Sequence, residues 1–542
     1  NDLYVIDDAD DVATELANEG VDEIRTYLAS YTLGGLFENL SGNPFSNAPE
    51  SGQTLTGNGL DNVITGSVGN DRLNGEGGND LLDGWIGADA MSGGAGNDFY
   101  HVDDGGDTAV EAAGEGFDRV FARISWTLAA NSHVEMLTTH DNLGTASIGL
   151  TGNALSQYLY GNAGSNQLDG GGGGDVMSGF GGNDFFIVRN ASDRVVELAG
   201  EGNDRVFAAV SFALEAGSHV EMLTTIDNLA TTAINLTGNA LSQYIYGNAG
   251  VNLIDGGGGG DVMTGFEGDD FYVVRHGADR AVEAAGGGND RVFAVVDFTL
   301  EAGSHVELLT MIDNLATTPI SLTGNALAQY LYGNAGSNQL DGRGGGDVMT
   351  GFEGGDFYVI RAFGDRAVEA VGGGTDRVFA AVSFTSEVGS EVELLTMIDN
   401  LATTAIDLTG NEFAQYLYGN AGANILDGRG AADVMTGFGG ADGFAFTSTL
   451  GGGNVDRIAD FVAADDTIRL DDAVFAGLAP GVLAANAFVI GTQAADSDDR
   501  IIYNQATGAL LFDADGNAGG AAVHFATLDG VPFLAASDFL VI

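Results

Sequence analysis

The sequence predicts an all-β fold: a right-handed parallel β-solenoid built of 86-residue modules and closed by a β-rich C-terminal cap. Three observations predict it. First, Asp98-Phe99-Tyr100 returns as Asp184-Phe185-Phe186, Asp270-Phe271-Tyr272 and Asp356-Phe357-Tyr358, each 86 residues on, with a decayed copy at Asp442. Leu-Thr-Gly-Asn ends at Asn153, Asn239, Asn325 and Asn411 with the same spacing. Such self-similarity marks a solenoid, in which a repeat buries its apolar face only against its neighbours. Second, every module carries tandem glycine-rich nonapeptides. Third, the segments between them alternate and are rich in β-branched residues, with Gly, Asn and Asp as punctuation. Arg205-Val206-Phe207-Ala208-Ala209-Val210 and Ala233-Ile234-Asn235-Leu236-Thr237 are examples.

Residues 1–97 form the first module, which carries one extra nonapeptide. Modules at 98–183, 184–269, 270–355 and 356–442 follow. Residues 443–542 leave the period and read as a separate cap, which a solenoid needs to close its last apolar face. Asn1-Asp2-Leu3-Tyr4 aligns with Asn97-Asp98-Phe99-Tyr100, so the chain is expected to start in mid-module, with a glycine block upstream of it.

The cleanest nonapeptides run 57–65, 66–74, 75–83, 84–92 and 93–101. Each opens on Gly. The later ones place Asp sixth (Asp71, Asp80, Asp89, Asp98) and an apolar residue eighth (Leu73, Leu82, Met91, Tyr100). Residues with little side chain bend tightly and can turn their carbonyl oxygens inward. The last three residues form a short strand with one buried side chain. Oxygen ligands on a turn suit a hard cation, and calcium tolerates the high coordination number on offer. The phase continues to Asp107, Asp193, Asp279 and Asp365, each nine residues after the preceding Asp. Asp alone in a turn reads as solvated, because it favours turns for its own hydrogen bonding. Its recurrence within the glycine frame favours the cation instead.

Composition excludes several classes. With 542 residues, 44% of them hydrophobic, the chain can bury an extended core. The absence of Cys removes disulfides, thiolate metal sites and cysteine nucleophiles. All 18 basic residues are Arg, so a lysine-dependent phosphate loop is excluded. A net charge of −59 argues against nucleic acid and anionic membranes, and makes the cation-free chain repel itself. No stretch is apolar enough for long enough to span a bilayer, and no N-terminal signal-peptide pattern is present. His-Glu-x-x-His, Gly-x-Ser-x-Gly and a dinucleotide fingerprint are all absent. Acid doublets such as Asp103-Asp104 carry no weight in so acidic a chain. No catalytic activity is expected.

The units Gly75-Glu76-Gly77-Gly78-Asn79-Asp80-Leu81-Leu82-Asp83 and Gly170-Gly171-Gly172-Gly173-Gly174-Asp175-Val176-Met177-Ser178 resemble RTX repeats, the hemolysin-type calcium-binding nonapeptides. Residues 443–542 resemble the C-terminal region of serralysin-type proteins, and Asp538-Phe539-Leu540-Val541-Ile542 is similar to the tail associated with type I secretion. The resemblance implies a β-roll holding several Ca2+ ions between loops one turn, or 18 residues, apart. It also implies the ligands: carbonyls at positions two and four plus the Asp from one loop, carbonyls at positions one and three plus the Asp from the next. Ser67, Gly69 and Asp71 then face Gly84, Ile86 and Asp89, while Glu76, Gly78 and Asp80 face Gly93, Ala95 and Asp98. Asp89 pairs with Asp107. Gly171, Gly173 and Asp175 pair with Asp193; Gly257, Gly259 and Asp261 with Asp279; Arg343, Gly345 and Asp347 with Asp365. On the other edge Asn stands opposite the Asp. Asn166 faces Gly179, Gly181 and Asp184; Asn252 faces Gly265 and Asp270; Asn338 faces Gly351 and Asp356; Asn424 faces Asp442. An Asn offers an oxygen without charge, so these sites should be weaker or empty, and Asn338→Ala should cost little. Gln157, Gln243, Gln329 and Gln415 receive no metal. The fifth module keeps Asp433 and Asp442 but has Ala431, Ala432 and Ala441 where others have Gly.

Three further features have competing readings. His133, His219 and His305 recur in Ser-His-Val-Glu, but Glu391 replaces the fourth, so a copied strand-edge residue is favoured over a metal ligand. Tyr158/Tyr160 and their copies point outward, as a ladder for a glycan or another chain, or as residues covered by the longer turns. Phe185/Ile187, Phe271/Val273 and Phe357/Val359 are apolar outward positions that need cover from the same chain or from another copy. The segment 42–54 reads as an inserted loop, and Trp85 and Trp126 as local packing.

The expected protein is a secreted calcium-binding solenoid at or beyond a bacterial cell surface, folding on extracellular calcium. Its role is structural: surface layer, filament or adhesin stalk. Calcium, other copies of itself and a type I secretion apparatus are the expected partners, without nucleic acid or membrane insertion. The calcium-folding portion of a larger secreted enzyme and a glycan-binding module are the alternatives.

Overall fold

The computed structural model describes residues 1–16, 20–43 and 52–542, so most of the inserted segment read from the sequence lies outside the described residues. The chain divides into two compact units, Asn1–Asp270 and Phe271–Ile542. Both are parallel β-solenoids. The described residues contain short strands, two 3-10 turns and no α-helix; no helix is long and apolar enough to cross a membrane.

Each nonapeptide ends in a three-residue strand whose middle side chain enters the core, as at Val176–Ser178, and the two flanking residues stay at the surface. In the first unit these strands stack into an eleven-stranded sheet from Leu3–Ile6 to Arg194–Val195. One core residue per rung lies over the next: Ile64, Leu82, Tyr100, Val120, Leu137, Leu159, Met177 and Val195 form a continuous column, and all are fully buried. Each such side chain contributes about 1.5–3 kcal/mol by leaving water, but only with a neighbour above and below. The second unit repeats the device with Leu322, Leu340, Tyr358, Val378, Leu395, Leu417, Met435 and Ile458.

The module is not uniform. Between glycine blocks the rung-to-rung spacing moves from 18 residues to 20 at Phe99↔Arg119, 17 at Arg119↔Met136 and 22 at Met136↔Tyr158. One sheet also stops within each module. Thr108–Ala109 ends a five-stranded sheet, and Trp126–Thr127 starts another. Buried Trp126 bridges the break by donating its Nε1–H to Asp107 O at 3.0 Å, a local packing role.

The outward apolar residues find partial cover within the chain, Phe185 remaining 37% exposed. Phe185 stacks on Phe207 of the next rung at 6.2 Å, as Phe357 does on Phe379 at 6.1 Å, and Val273 and Val359 are buried. The parallel ladder continues beyond residue 443, where the sequence placed the cap: Gly443–Phe446, Asp456–Ile458 and Thr467–Leu470 are still rungs. The closure follows. Phe539–Val541 adds to the Thr467–Leu470 edge, Val523–Leu528 to Asp456–Ile458, antiparallel pairs carry the sheet on through Ala509–Phe512 and Ile501–Asn504, and Phe488–Ile490 ends it in parallel.

Candidate metal centres

Down the turns runs a ladder of buried carboxylates. The Oδ1 of each sixth-position Asp accepts the backbone N–H of the corresponding residue one turn earlier: Asp71 N–H to Asp89 at 2.7 Å, Asp80 to Asp98 at 2.7 Å and Asp89 to Asp107 at 3.0 Å. Asp175 does so to Asp193 and Asp347 to Asp365, both at 3.0 Å. Gln243 donates to Asp261 and Asn252 to Asp270, each at 2.7 Å. The ladder also runs past the expected boundary, from Asp433 to Asp456 and from Asp442 to Asp466.

The second oxygen divides the turns into two kinds. At Asp80, Asp89, Asp98, Asp175, Asp184, Asp347, Asp356 and Asp433, Oδ2 is buried with no hydrogen-bond partner. At Asp71, Asp107, Asp193, Asp279 and Asp365 it accepts the N–H of the residue four earlier: Ser67, Asp103, Arg189, Arg275 and Arg361. A single backbone angle separates the two. In open turns the second residue is left-handed, as at Glu76 (φ 74°), Trp85 (70°), Gly171 (84°), Phe180 (65°) and Arg343 (67°), which turns its N–H away from the carboxylate. In closed turns that residue is not left-handed, and its N–H caps the Asp. Side chains other than Gly rarely adopt this region.

The Asn turns are closed as well. Asn166 Oδ1 accepts the Asn162 N–H at 2.7 Å, and its Nδ2 donates to Ile148 O at 3.1 Å. Asn338 does the same with Asn334 and Ile320 O, and Asn252 and Asn424 with Asn248 and Asn420. Both polar atoms of the amide are thus taken up by the protein's own backbone. Asn338→Ala, expected to cost little calcium, should nevertheless cost stability, because the side chain is a buried structural clamp.

The open turns fit a hard cation. An orphaned buried carboxylate oxygen is costly unless something fills it. The space beside it exists only because position one is Gly: a Cβ on Gly179 would lie 2.0 Å from Asp184 Oδ2. Burial holds the carboxyls of Asp80, Asp89, Asp175, Asp184, Asp347 and Asp356 up at about 7, and Asp433 at about 8, in the absence of a cation. Of the backbone groups expected as ligands, Glu76, Gly78, Gly171, Gly173, Gly257, Gly259, Arg343 and Gly345 lie at left-handed positions. Ser67 O and Ala95 O already accept inter-turn bonds from Ile86 N–H at 3.4 Å and Gly78 N–H at 2.9 Å.

Sequence reasoning named Asp98, Asp184 and Asp356 but missed the acids gathered around them. Asp98, Glu111 and Asp118 bring ligand oxygens within 4.8 Å of one another, as do Asp184, Glu197 and Asp204, and Asp356, Glu369 and Asp376. Glu111, Glu197 and Glu369 lie outside the nonapeptide frame. Their recurrence at the module period was the available signal.

The description "RTX calcium-binding nonapeptide repeat (4 copies)" belongs to the family model that matches residues 56–91, 151–194, 237–280, 323–358 and 409–444. No curated protein and no solved structure matches the chain. The glycine blocks are thus RTX repeats, which bind Ca2+, and the chain is a calcium-binding repeat protein built as a parallel β-solenoid.

Proposed function

We propose that this protein is a secreted bacterial element that is unfolded at cytosolic calcium and becomes a solenoid outside the cell. It serves there as a structural component of a surface layer, filament or adhesin stalk, with no catalytic activity of its own. The observation that carries the reading is the series of buried, unpartnered Asp oxygens on the open turns. Without a cation these carboxylates and a net charge of −59 oppose folding; a cation that binds only the folded chain supplies the missing stability. Extracellular calcium modules bind at about 10⁻⁴–10⁻³ M, well above cytosolic levels. A chain unfolded inside the cell suits passage through a type I secretion apparatus. Circular dichroism of the full chain in excess chelator should show coil, converting to β on millimolar calcium. A β spectrum that persists in chelator refutes the reading.

A glycan-binding role is a second reading, favoured by one specific feature. Tyr160 stacks on Phe180 at 5.9 Å, and both line a cavity of about 270 Å³ with Arg119, Thr138 and Asn142. The same residue pattern lines a cavity of about 550 Å³ at Arg291, Thr310, Asn314, Tyr332 and Phe352. Aromatic faces beside amide, hydroxyl and guanidinium donors suit a sugar. Glycan-array signals lost in Tyr160→Ala would support it. Self-association through exposed Tyr158, Tyr244, Tyr330 and Tyr416 belongs to the structural reading, and light scattering in calcium tests it: a strict monomer excludes it.

A further inference from the structure

The three-carboxylate groups sit where each glycine array ends. In the second module the last nonapeptide turn spans 179–184, and the next turn of the same sheet edge is two residues longer, 197–204. Glu197 stands one rung below Gly179, in the place of a nonapeptide's first Gly, and accepts the Gly179 N–H through Oε1 at 2.6 Å. Asp204 stands below Asp184 and accepts its N–H at 2.8 Å. A side chain thus enters the space that glycine keeps clear elsewhere in the array. The first and fourth copies repeat this: Glu111 accepts the Gly93 N–H at 2.9 Å and Asp118 that of Asp98 at 2.8 Å; Glu369 accepts the Gly351 N–H at 3.1 Å and Asp376 that of Asp356 at 2.7 Å.

The remaining oxygens have no partner. Asp184 Oδ2, Glu197 Oε2 and Asp204 Oδ2 are buried and unbonded, as are Asp356 Oδ2, Glu369 Oε2 and Asp376 Oδ2, and Asp98 Oδ2 with Glu111 Oε2. Glu197 is 1% exposed and Asp204 0%. Among the described residues, none of the ion pairs reaches these carboxylates. Their positions are fixed from outside by the Ser-His-Val-Glu string. Ser218 Oγ accepts the Glu197 N–H at 3.2 Å, His219 N–H donates to Glu197 O at 3.0 Å, and Glu221 Oε2 accepts the Asp204 N–H at 2.7 Å. Ser132 and Glu135 hold Glu111 and Asp118 in the same way, as Ser390 and Glu393 hold Glu369 and Asp376. The repeated His is therefore a backbone buttress, and the Ser and Glu around it orient the acids.

We propose that each trio is a divalent-cation site, taken by calcium, in which the glutamate supplies the ligand that ends the array. Three carboxylates converge on one point, and a single hard cation satisfies all their free oxygens at once. More charge per site tightens calcium binding, so these sites hold calcium more firmly than the open turns above them and are the last to release it. The proposal rests on the calcium reading of the repeats but adds ligands outside the nonapeptides.

The test uses the full chain and two readouts. Calcium retained after gel filtration should fall by about one equivalent for each Glu→Gln change at Glu111, Glu197 or Glu369, with the calcium-induced β spectrum kept. The second readout is terbium luminescence sensitised by tyrosine. The Tyr358 hydroxyl donates to Glu369 Oε1, and the Tyr100 hydroxyl accepts the same Gly93 N–H as Glu111. Tyr100→Phe and Tyr358→Phe should therefore lower the emission at unchanged terbium stoichiometry; Phe186 already fills the equivalent place in the next module. Unchanged calcium in the Glu→Gln variants means that protons, not a cation, close the trios, and overturns the proposal. If those variants fail to fold, the tyrosine arm decides, and unaltered emission overturns it. A wild-type chain that retains no calcium at all refutes the reading of the repeats together with the proposal, a result distinct from either.

Discussion

The turn ending at Asn166 and the turn ending at Asp175 are neighbours in one module, alike in length, in their opening Gly and in the inter-turn bond that each makes. They differ in the backbone of their second residue. Asn162 keeps an ordinary φ and caps Asn166; Gly171 is left-handed and leaves Asp175 Oδ2 bare. The comparison teaches that a nonapeptide can finish its hydrogen bonding with its own amide or leave it for a cation, and that both kinds stack in one ladder. The first is a metal-independent brace. The second is a stability deficit until calcium arrives.

The largest separation between the two kinds comes from pH. Burial raises the open-turn aspartates Asp175 and Asp184 to about 7, and raises Glu111 and Glu197 to about 9 and Glu369 to about 8. A carboxyl whose folded pKa lies above its unfolded value holds its proton longer in the folded state, so its stabilising contribution is complete below the unfolded pKa and is lost as pH rises through the folded one. The calcium-free chain should therefore be most stable near pH 4 and lose stability progressively up to about pH 9. Calcium reverses the slope, because it binds the ionised form. Circular dichroism in excess chelator, followed from pH 9 down to pH 4, checks this: the calcium-free coil should gain β structure as pH falls, and β structure that instead grows with rising pH contradicts it.

Single substitutions sharpen the contrast. Asp175→Ala should weaken calcium binding and destabilise the calcium-loaded fold, yet let the calcium-free fold formed at low pH persist to higher pH, since it removes an uncompensated buried carboxylate. Asn166→Ala should destabilise both by about 1–3 kcal/mol, because it strands the Asn162 N–H and the Ile148 carbonyl. Unchanged calcium affinity and unchanged denaturant stability of the calcium-loaded Asp175→Ala chain would show that the open oxygen does not hold the ion.

The legible part of this architecture is what period and side-chain type encode. The 86-residue recurrence, the buried eighth position at Leu82 or Met177 and the stacked Asp ladder all follow from them. The open and closed turns do not, because the deciding quantity is a backbone sign. Phe180, Phe352 and Arg343 sit left-handed against their own preference, held there by the rungs above and below. Glu197 and Asp204 escaped notice because the turn carrying them is two residues too long for the nonapeptide frame. Reading the acids by module phase, as the His was read, would have exposed them.

The smallest expected effect probes that backbone sign directly. Arg343 is exposed and left-handed, and its N–H donates to Asp341 Oδ1 at 3.0 Å. Gly171 occupies the equivalent place two modules earlier, with the same bond to Asp169 at 3.0 Å and φ of 84°. The left-handed conformation costs a non-glycine residue about 1–2 kcal/mol. Glycine avoids that cost but loses about 0.5–1 kcal/mol through a freer unfolded chain. Arg343→Gly should thus stabilise the calcium-loaded protein slightly, by about 0.5–1 kcal/mol, and leave the calcium count unchanged. The matching change in a closed turn, Asn334→Gly, has the opposite sign, because it removes the Asn334 Nδ2 bond to Thr318 O and the Oδ1 contacts with Gly336 N–H and Asn338. Thermal midpoints of the two variants in calcium decide the matter. If both glycines destabilise alike, the left-handed second residue is not the strained element that keeps the carboxylate open.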